Sequence, residues 1–192
     1  MPTCQITPAN EVTVKNLMTA FESESNAQAQ YTAYAERADS EGLRRVARLL
    51  RAIARSEQIH ADNHAAVIRK LGGEPEVQFQ EVEVHATPEN LTAALEDEIY
   101  AVDSMYPRFL VENRNIENSA ARTFTWALEA KKTHTRLLSE EIRKMEAGIA
   151  DTTTEDSLGF YVRPVCGYVS KGTPPERCWV CNRFCATFET IR

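Results

Sequence analysis

Between Val46 and Leu71 the apolar positions advance in steps of three and four, and the same face also carries Glu57, His60 and His64. Such a period places Val46, Leu50, Ile53, Glu57, His60, His64, Val67 and Leu71 along one stripe of an α-helix. A carboxylate and two imidazoles inside an apolar stripe constrain the fold more than any other feature of the chain. Burying an unpaired carboxylate costs several kcal/mol, so such groups need a shared partner inside the molecule.

Three further stripes of the same period supply that partner. Leu17, Phe21, Glu24, Gln28, Tyr31 and Ala35 form one; Leu91, Leu95, Glu98, Val102, Met105 and Phe109 form another. The last holds Phe124, Ala127, Lys131, His134, Leu138, Glu141 and Met145, and ends near Gly148. The Val46–Leu71 stripe stops at Gly72-Gly73-Glu74-Pro75. From Val77 to His85 the pattern is extended rather than helical and too long for a tight turn, which predicts a crossover between two parallel helices. The next helix is expected to open with Thr87 as N-cap and Pro88 in its first turn, and to kink at Pro107. Four long amphipathic helices with one long crossover predict an all-α, ferritin-like four-helix bundle over residues 9–149.

The end of the chain reads differently. A polar, Thr-rich stretch at 150–158 is the expected linker, and from 159 to 192 the helical period gives way to Gly, Pro and aromatic residues around cysteines. Of five cysteines, Cys4 stands alone as an ordinary thiol, whereas Cys166, Cys178, Cys181 and Cys185 cluster near the end. An odd, clustered set without an export signal reads as metal binding rather than a disulfide framework. A tail this short buries little core and needs a metal staple.

Composition closes off other classes. With 43% hydrophobic and 26% charged residues and a net charge of −6, the chain reads as a globular protein without a nucleic-acid surface. No apolar run reaches the ~20 residues that span a bilayer, and the first ten residues carry no secretory pattern, so a cytoplasmic location is expected.

The polar layer has a chemical template. A di-iron carboxylate bundle takes one Glu from each of two helices and a Glu-x-x-His from each of the other two. Glu24, Glu98 and Glu57-x-x-His60 match it, while the last helix offers Lys131-x-x-His134, with an amine in place of a carboxylate. An ammonium donates hydrogen bonds and repels metal cations.

Here the chain resembles the rubrerythrins. The resemblance rests on Asn16–Ser25 with Tyr31, Ser56-Glu57-Gln58-Ile59-His60-Ala61, Glu98 before Met105-Tyr106-Pro107, and Glu129-Ala130-Lys131-Lys132-Thr133-His134. The tail, with Arg163-Pro164-Val165-Cys166-Gly167-Tyr168 and Cys178-Trp179-Val180-Cys181, is similar to a rubredoxin-like metal-knuckle domain. The resemblance implies reduction of hydrogen peroxide to water at a di-iron site in oxidative-stress defence. Electrons would come from a redox donor protein or reductase through the tail iron, commonly across a homodimer. It implies Glu24, Glu57, Glu98 and His134 as iron ligands and His60 as a ligand taken up on reduction. Tyr31 and Tyr106 would lie behind the ligands as hydrogen-bond partners of the carboxylates; ordinary core packing is the other reading of both.

The chain departs from the family pattern at ligand positions. Ala101 stands three residues after Glu98 where a further Glu is expected, Lys131 replaces a Glu, and Arg163 replaces a Cys. Two arrangements of the bundle stay open at this point. Glu57, Glu98 and His134 hold a single Fe(II), Mn(II) or Zn(II), or Lys131 pairs with Glu24 and Glu57 in a metal-free core. A lysine with a lowered pKa, acting as a weak ligand, is a further possibility. In the tail, Cys166, Cys178 and Cys181, with Cys185 as the candidate fourth thiolate, are expected to bind one iron or zinc. Two functions follow: a rubrerythrin-type peroxidase, or a metal-poor ferritin-like protein with a structural, partner-subunit or sensing role.

Overall fold

The computed structural model describes residues 10–149, 159–184 and 187–192. Cys4, Cys185 and the expected linker at 150–158 lie outside the described residues. The helices are α1 (Glu11–Ser40), α2 (Arg44–Lys70), α3 (Thr87–Tyr100), α4 (Tyr106–Glu112) and α5 (Asn118–Glu146), with a π-helical turn at Ala101–Met105 joining α3 to α4. Counting α3 to α4 as one rod gives the four helices of the bundle.

Side-chain ties fix the directions of the rods. Thr13 bonds Asn113 and Asn16 bonds Glu112 at one end, while the Thr87 N–H meets Glu41 at the other, so α1 runs antiparallel to α3–α4. Arg45 pairs with Glu141, and Lys70 with Glu117, so α2 runs antiparallel to α5. A short turn joins α1 to α2, which makes α2 and α3 parallel and requires the long connection from 71 to 86. That connection has neither helix nor strand.

Local chemistry sets the ends. At the end of α2 the Gly73 N–H reaches the Ile68 carbonyl at 3.0 Å and the Gly72 N–H reaches Arg69 at 3.1 Å, with Gly72 at φ +85°. This is a Schellman cap, whose left-handed position glycine fills without Cβ strain. Two expectations on the third rod need correction. The cap of α3 is Ala86 rather than Thr87, because the Glu89 carboxylate reaches back to the Ala86 N–H at 3.1 Å. The break near Pro107 is the π turn at Ala101–Met105. Pro107 offers no N–H and its ring crowds the carbonyl four residues back, so the helical ladder shifts register just before it.

Two apolar clusters fill the bundle. One packs Tyr31, Leu49, Leu50, Ile53, Leu91, Leu137 and Leu138; the other packs Leu17, Val67, Ile68, Met105, Tyr106, Phe109 and Phe124. Each such side chain contributes about 1.5–3 kcal/mol on full burial, which offsets the cost of the polar layer held among these helices.

The tail forms a three-stranded antiparallel sheet in the order β2-β1-β3: β1 (Phe160–Val162), β2 (Val169–Lys171) and β3 (Glu189–Ile191). Phe160, Val162 and Val169 join the first bundle cluster, so bundle and tail share one core. Ion pairs rim this junction: Arg55 with Glu189 at 2.7 Å and Lys171 with Glu140 at 2.6 Å.

The Glu140 tie predicts an acid-sensitive junction. Burial alone raises the Glu140 pKa, but Lys171 and Lys144 outweigh it and hold the carboxyl at about 2 against an ordinary 4.5. A carboxyl whose folded pKa is depressed stabilises fully above its unfolded pKa and loses that stabilisation as pH falls toward the folded value. Urea midpoints are therefore expected to fall between pH 4.5 and 2, and to fall less for Lys171→Met. Equal acid sensitivity in the two proteins would show that this pair contributes nothing.

Candidate metal centres

Each rod delivers one part of a buried layer. Glu24 comes from α1, Glu57 and His60 from α2, Glu98 from α3, and Lys131 and His134 from α5; the three carboxylates and His134 are fully buried, and His60 and Lys131 nearly so. The i,i+3 spacings on α2 and α5 place both members of each pair on the inward face.

Glu57 stands at the centre. Its Oε1 lies 3.1 Å from His134 Nδ1, and its Oε2 lies 2.8 Å from His60 Nδ1 and 3.1 Å from Lys131 Nζ. Lys131 Nζ also lies 3.0 Å from Glu24 Oε2 and 3.5 Å from Glu98 Oε1. An ammonium has three protons, and three carboxylates surround this one. Burial lowers the Lys131 pKa, but Glu24, Glu57 and Glu98 outweigh it and raise it well above the ordinary value. Three carboxylates around one amine favour its ammonium form over that of a neutral ligand.

The other side of Glu57 is different in kind. Glu57 Oε1, Glu98 Oε2 and His134 Nδ1 are buried without hydrogen-bond partners, although His134 Nδ1 lies 3.1 and 3.3 Å from the two oxygens. These short separations place the three atoms close enough together to share one ion. Two carboxylate oxygens and an imidazole nitrogen suit a first-row divalent metal. Without a metal, burial lowers the His134 pKa while Glu98 and Glu57 more than offset it, raising it to about 9.

Phenols support the carboxylates from behind. Tyr31 donates to Glu98 Oε1 at 3.1 Å, and Tyr106 donates to Glu24 Oε1. Behind Tyr106 stands a relay that sequence reading missed. His64 Nε2 lies 3.0 Å from the Tyr106 oxygen, and Thr123 Oγ1 lies 3.2 Å from His64 Nδ1. Since the Tyr106 proton goes to Glu24, His64 must donate from Nε2 and accept from Thr123, which assigns its tautomer. Burial holds His64 well below its ordinary pKa, as a neutral ring requires. The signal was present: His64 follows Glu57 by seven residues on the same helical stripe.

The tail holds a second cluster. Cys166, Cys178 and Cys181 bring their sulfurs within 4.8 Å of one another, with Cys166 Sγ and Cys178 Sγ 3.5 Å apart. The hydrogen bond from Cys166 holds the Cys178 thiol down at about 5, while that contact and burial push Cys166 up. One thiolate therefore stands ready for a metal.

Two turns carry these cysteines and repeat one backbone pattern. The Gly167 N–H bonds the Arg163 carbonyl and the Arg163 N–H bonds Tyr168; the Asn182 N–H bonds the Cys178 carbonyl and the Cys178 N–H bonds Arg183. Gly167 and Asn182 both take positive φ, at +75° and +54°. Arg163 therefore occupies the place in its turn that Cys178 occupies in the other. Its guanidinium donates instead to the Thr187 and Phe184 carbonyls.

The two clusters are joined through His60. Its Nδ1 faces Glu57 Oε2 at 2.8 Å and its Nε2 faces the Cys166 carbonyl at 3.1 Å. Both partners are acceptors and burial lowers the pKa of this ring, so a neutral His60 donates to one of them at a time. Ser56 donates to the Gly167 carbonyl at 2.6 Å and Asn63 to Val165 at 3.0 Å, fixing the approach.

A four-rod bundle with a buried layer of carboxylates and histidines defines a ferritin-like carboxylate protein. The Rubrerythrin family model matches residues 15–142. Nigerythrin of Nitratidesulfovibrio vulgaris is 32% identical over 180 residues, covering 92% of this chain and 85% of the relative. Rubrerythrin-2 of Clostridium acetobutylicum is 32% identical over 176 residues, covering 90% and 93%. The chain belongs to the rubrerythrin family. The fully reduced, all-ferrous structure of nigerythrin superposes with a TM-score of 0.81 at 30% identity, over 93% of this chain and 86% of that one.

These relatives place the chain among the non-haem iron proteins of oxidative-stress defence. Iron is the family's cofactor, and the Glu/His and Cys clusters here are able to bind metal. The fit is uneven. Two sets of three lie close enough to share an ion, Glu57 with Glu98 and His134 and Glu24 with Glu57 and His60, but the Lys131 ammonium stands 3.0 and 3.1 Å from Glu24 and Glu57 of the second set. Among the described residues no helix is long and apolar enough to cross a membrane.

Proposed function

We propose that this protein reduces hydrogen peroxide to water, H2O2 + 2 H+ + 2 e− → 2 H2O, with electrons from a redox donor protein or reductase. The observation that carries this reading is the contact line Cys166–His60–Glu57, in which one imidazole lies 3.1 Å from the Cys166 carbonyl and 2.8 Å from Glu57. We read the tail, with its paired turns, as a rubredoxin-like module. Its thiolate donors would be Cys166, Cys178 and Cys181. Work in the cytoplasm as a homodimer is part of the same proposal and rests on the family resemblance.

Glu57, Glu98 and His134 would hold the bundle iron, with Glu24 and His60 beside them. Bound iron would supply the electrons that reduce peroxide in the bundle and would relay electrons at the thiolates. The protein's own groups do the rest. Tyr31 and Tyr106 fix the orientation of Glu98 and Glu24. His60 holds a proton between the bundle layer and the tail backbone. A polar cleft of about 280 Å³ beside Gln30, Asp97, Tyr100 and Ala101 reaches Lys131 and admits a molecule as small as peroxide.

The test is peroxide consumption by the full chain after anaerobic iron loading, with a chemical reductant supplied in excess. Turnover at two electrons per peroxide is expected, and its absence with every reductant tried would remove the proposal. The Lys131 ammonium favours the second reading, a structural, partner-subunit or sensing role. If Lys131→Glu with Ala101→Glu creates turnover that the parent lacks, that second reading holds. Comparable turnover in the parent removes it.

A further inference from the structure

We propose that the bundle of this protein holds one metal ion, at Glu57 Oε1, Glu98 Oε2 and His134 Nδ1, and that the Lys131 ammonium is the permanent occupant of the second cation position. The inference deepens the reading of the bundle as a metal centre and rests on it, but not on peroxide turnover.

The two sides of Glu57 differ in the way this requires. On one side three buried donor atoms converge without hydrogen-bond partners, the condition of ligands that lack only their ion. On the other, Nζ sits 3.0, 3.1 and 3.5 Å from oxygens of Glu24, Glu57 and Glu98, so a fixed positive charge already stands among these carboxylates. A divalent ion there would need its oxygens at about 2.0–2.2 Å and would meet a fixed positive charge. Lys131 is a buried residue of the α5 rod, so its charge is held in the layer by the helix that carries it.

The wall opposite agrees. Ala101 begins the π turn and carries a methyl group where the family resemblance leads one to expect a carboxylate. The polar cleft between α1 and α3 is lined by both Ala101 and Lys131. The two changes are complementary, since the amine removes the need for a second ion and the small side chain removes a ligand for it.

One ammonium carries half the charge of a divalent ion. The layer thus keeps a cation that cannot dissociate and cannot change oxidation state. A single ferrous ion supplies one electron on oxidation to ferric, whereas peroxide reduction takes two. If a single bundle iron passed between the ferrous and ferric states alone, the second electron would have to come from the tail.

The test counts metals on the full chain. After anaerobic titration with Co(II), thiolate-bound cobalt in the tail shows intense charge-transfer absorption that oxygen- and nitrogen-bound cobalt lacks, so total metal minus thiolate metal gives the bundle count. One bundle ion is expected in the parent, two in Lys131→Glu with Ala101→Glu, and none in His134→Ala. Two bundle ions in the parent, or none, would overturn the proposal, and the parent result stands whether or not the variants fold. Magnetic measurements supply a second readout, because one high-spin ion is uncoupled and two ions sharing Glu57 are coupled. A one-ion bundle without peroxide turnover keeps this inference and removes the reductase. Turnover with two bundle ions does the reverse.

Discussion

Replacing Lys131 by methionine is expected to destabilise the metal-free protein by about 3–5 kcal/mol, the usual cost of removing one partner from a buried ion pair. Methionine keeps most of the stem volume, so the loss reports the charge rather than a cavity. Glu24, Glu57 and Glu98 would then face one another with only His134 as counter-charge. Proton uptake by these carboxylates recovers part of the loss. Carboxyls whose folded pKa lies above the unfolded value stabilise at low pH and cease to do so as pH rises. The variant's deficit should accordingly be smaller at pH 5 than at pH 8. Because the amine no longer blocks the second position, divalent metal should raise the variant's unfolding midpoint more than the parent's. Urea unfolding of both proteins, with chelator and with metal, checks each part. A variant as stable as the parent under chelation would show that the ammonium does not balance this layer.

The second large effect is expected at Gly167. A Cβ there would lie 2.4 Å from His60 Nε2 and 2.7 Å from Ser56 Oγ, and the residue has φ +75°. Alanine would incur about 1–2 kcal/mol for the left-handed backbone and about 1–3 kcal/mol for the overlap. The cheapest escape is separation of the tail from α2, which breaks the His60–Cys166 and Ser56–Gly167 contacts together. Peroxide turnover driven by a donor protein through the tail should then fall at least tenfold. Turnover with a small reductant that reaches the bundle directly should change little. Equal losses with both reductants would argue that the tail does not deliver the electrons.

Much of the bundle is legible in the residues because its signals are local. The stripes around Leu17, Leu50, Leu91 and Leu138, and the stop at Gly72, depend on helical period and cap chemistry alone. Where local cues competed, the reading slipped. Thr87 is a good N-cap in isolation, yet Glu89 reaches the Ala86 N–H and the helix starts from there. Pro107 announced a break, but not that it would take the form of a π turn over Ala101–Met105.

The polar layer was legible for a similar reason, since Glu57-x-x-His60 and Lys131-x-x-His134 stand out against apolar neighbours. What the lysine does was not. Its choice among ligand, stray charge and ion substitute is decided by distances across helices more than thirty residues apart in sequence. The docking of Cys166 on His60 spans 106 positions, and nothing local announces it. The equivalence of Arg163 and Cys178 likewise appears only when the backbone hydrogen bonds of the two turns are compared.

The central claim, that Lys131 stands in the place of a second metal, is most directly tested by anomalous diffraction at the iron edge on crystals of the full chain loaded with Fe(II) anaerobically. The account predicts a single bundle peak, bounded by Glu57, Glu98 and His134, with Lys131 Nζ in contact with Glu24 and Glu57. A second iron peak between Glu24 and Glu57, with the lysine displaced, would contradict it.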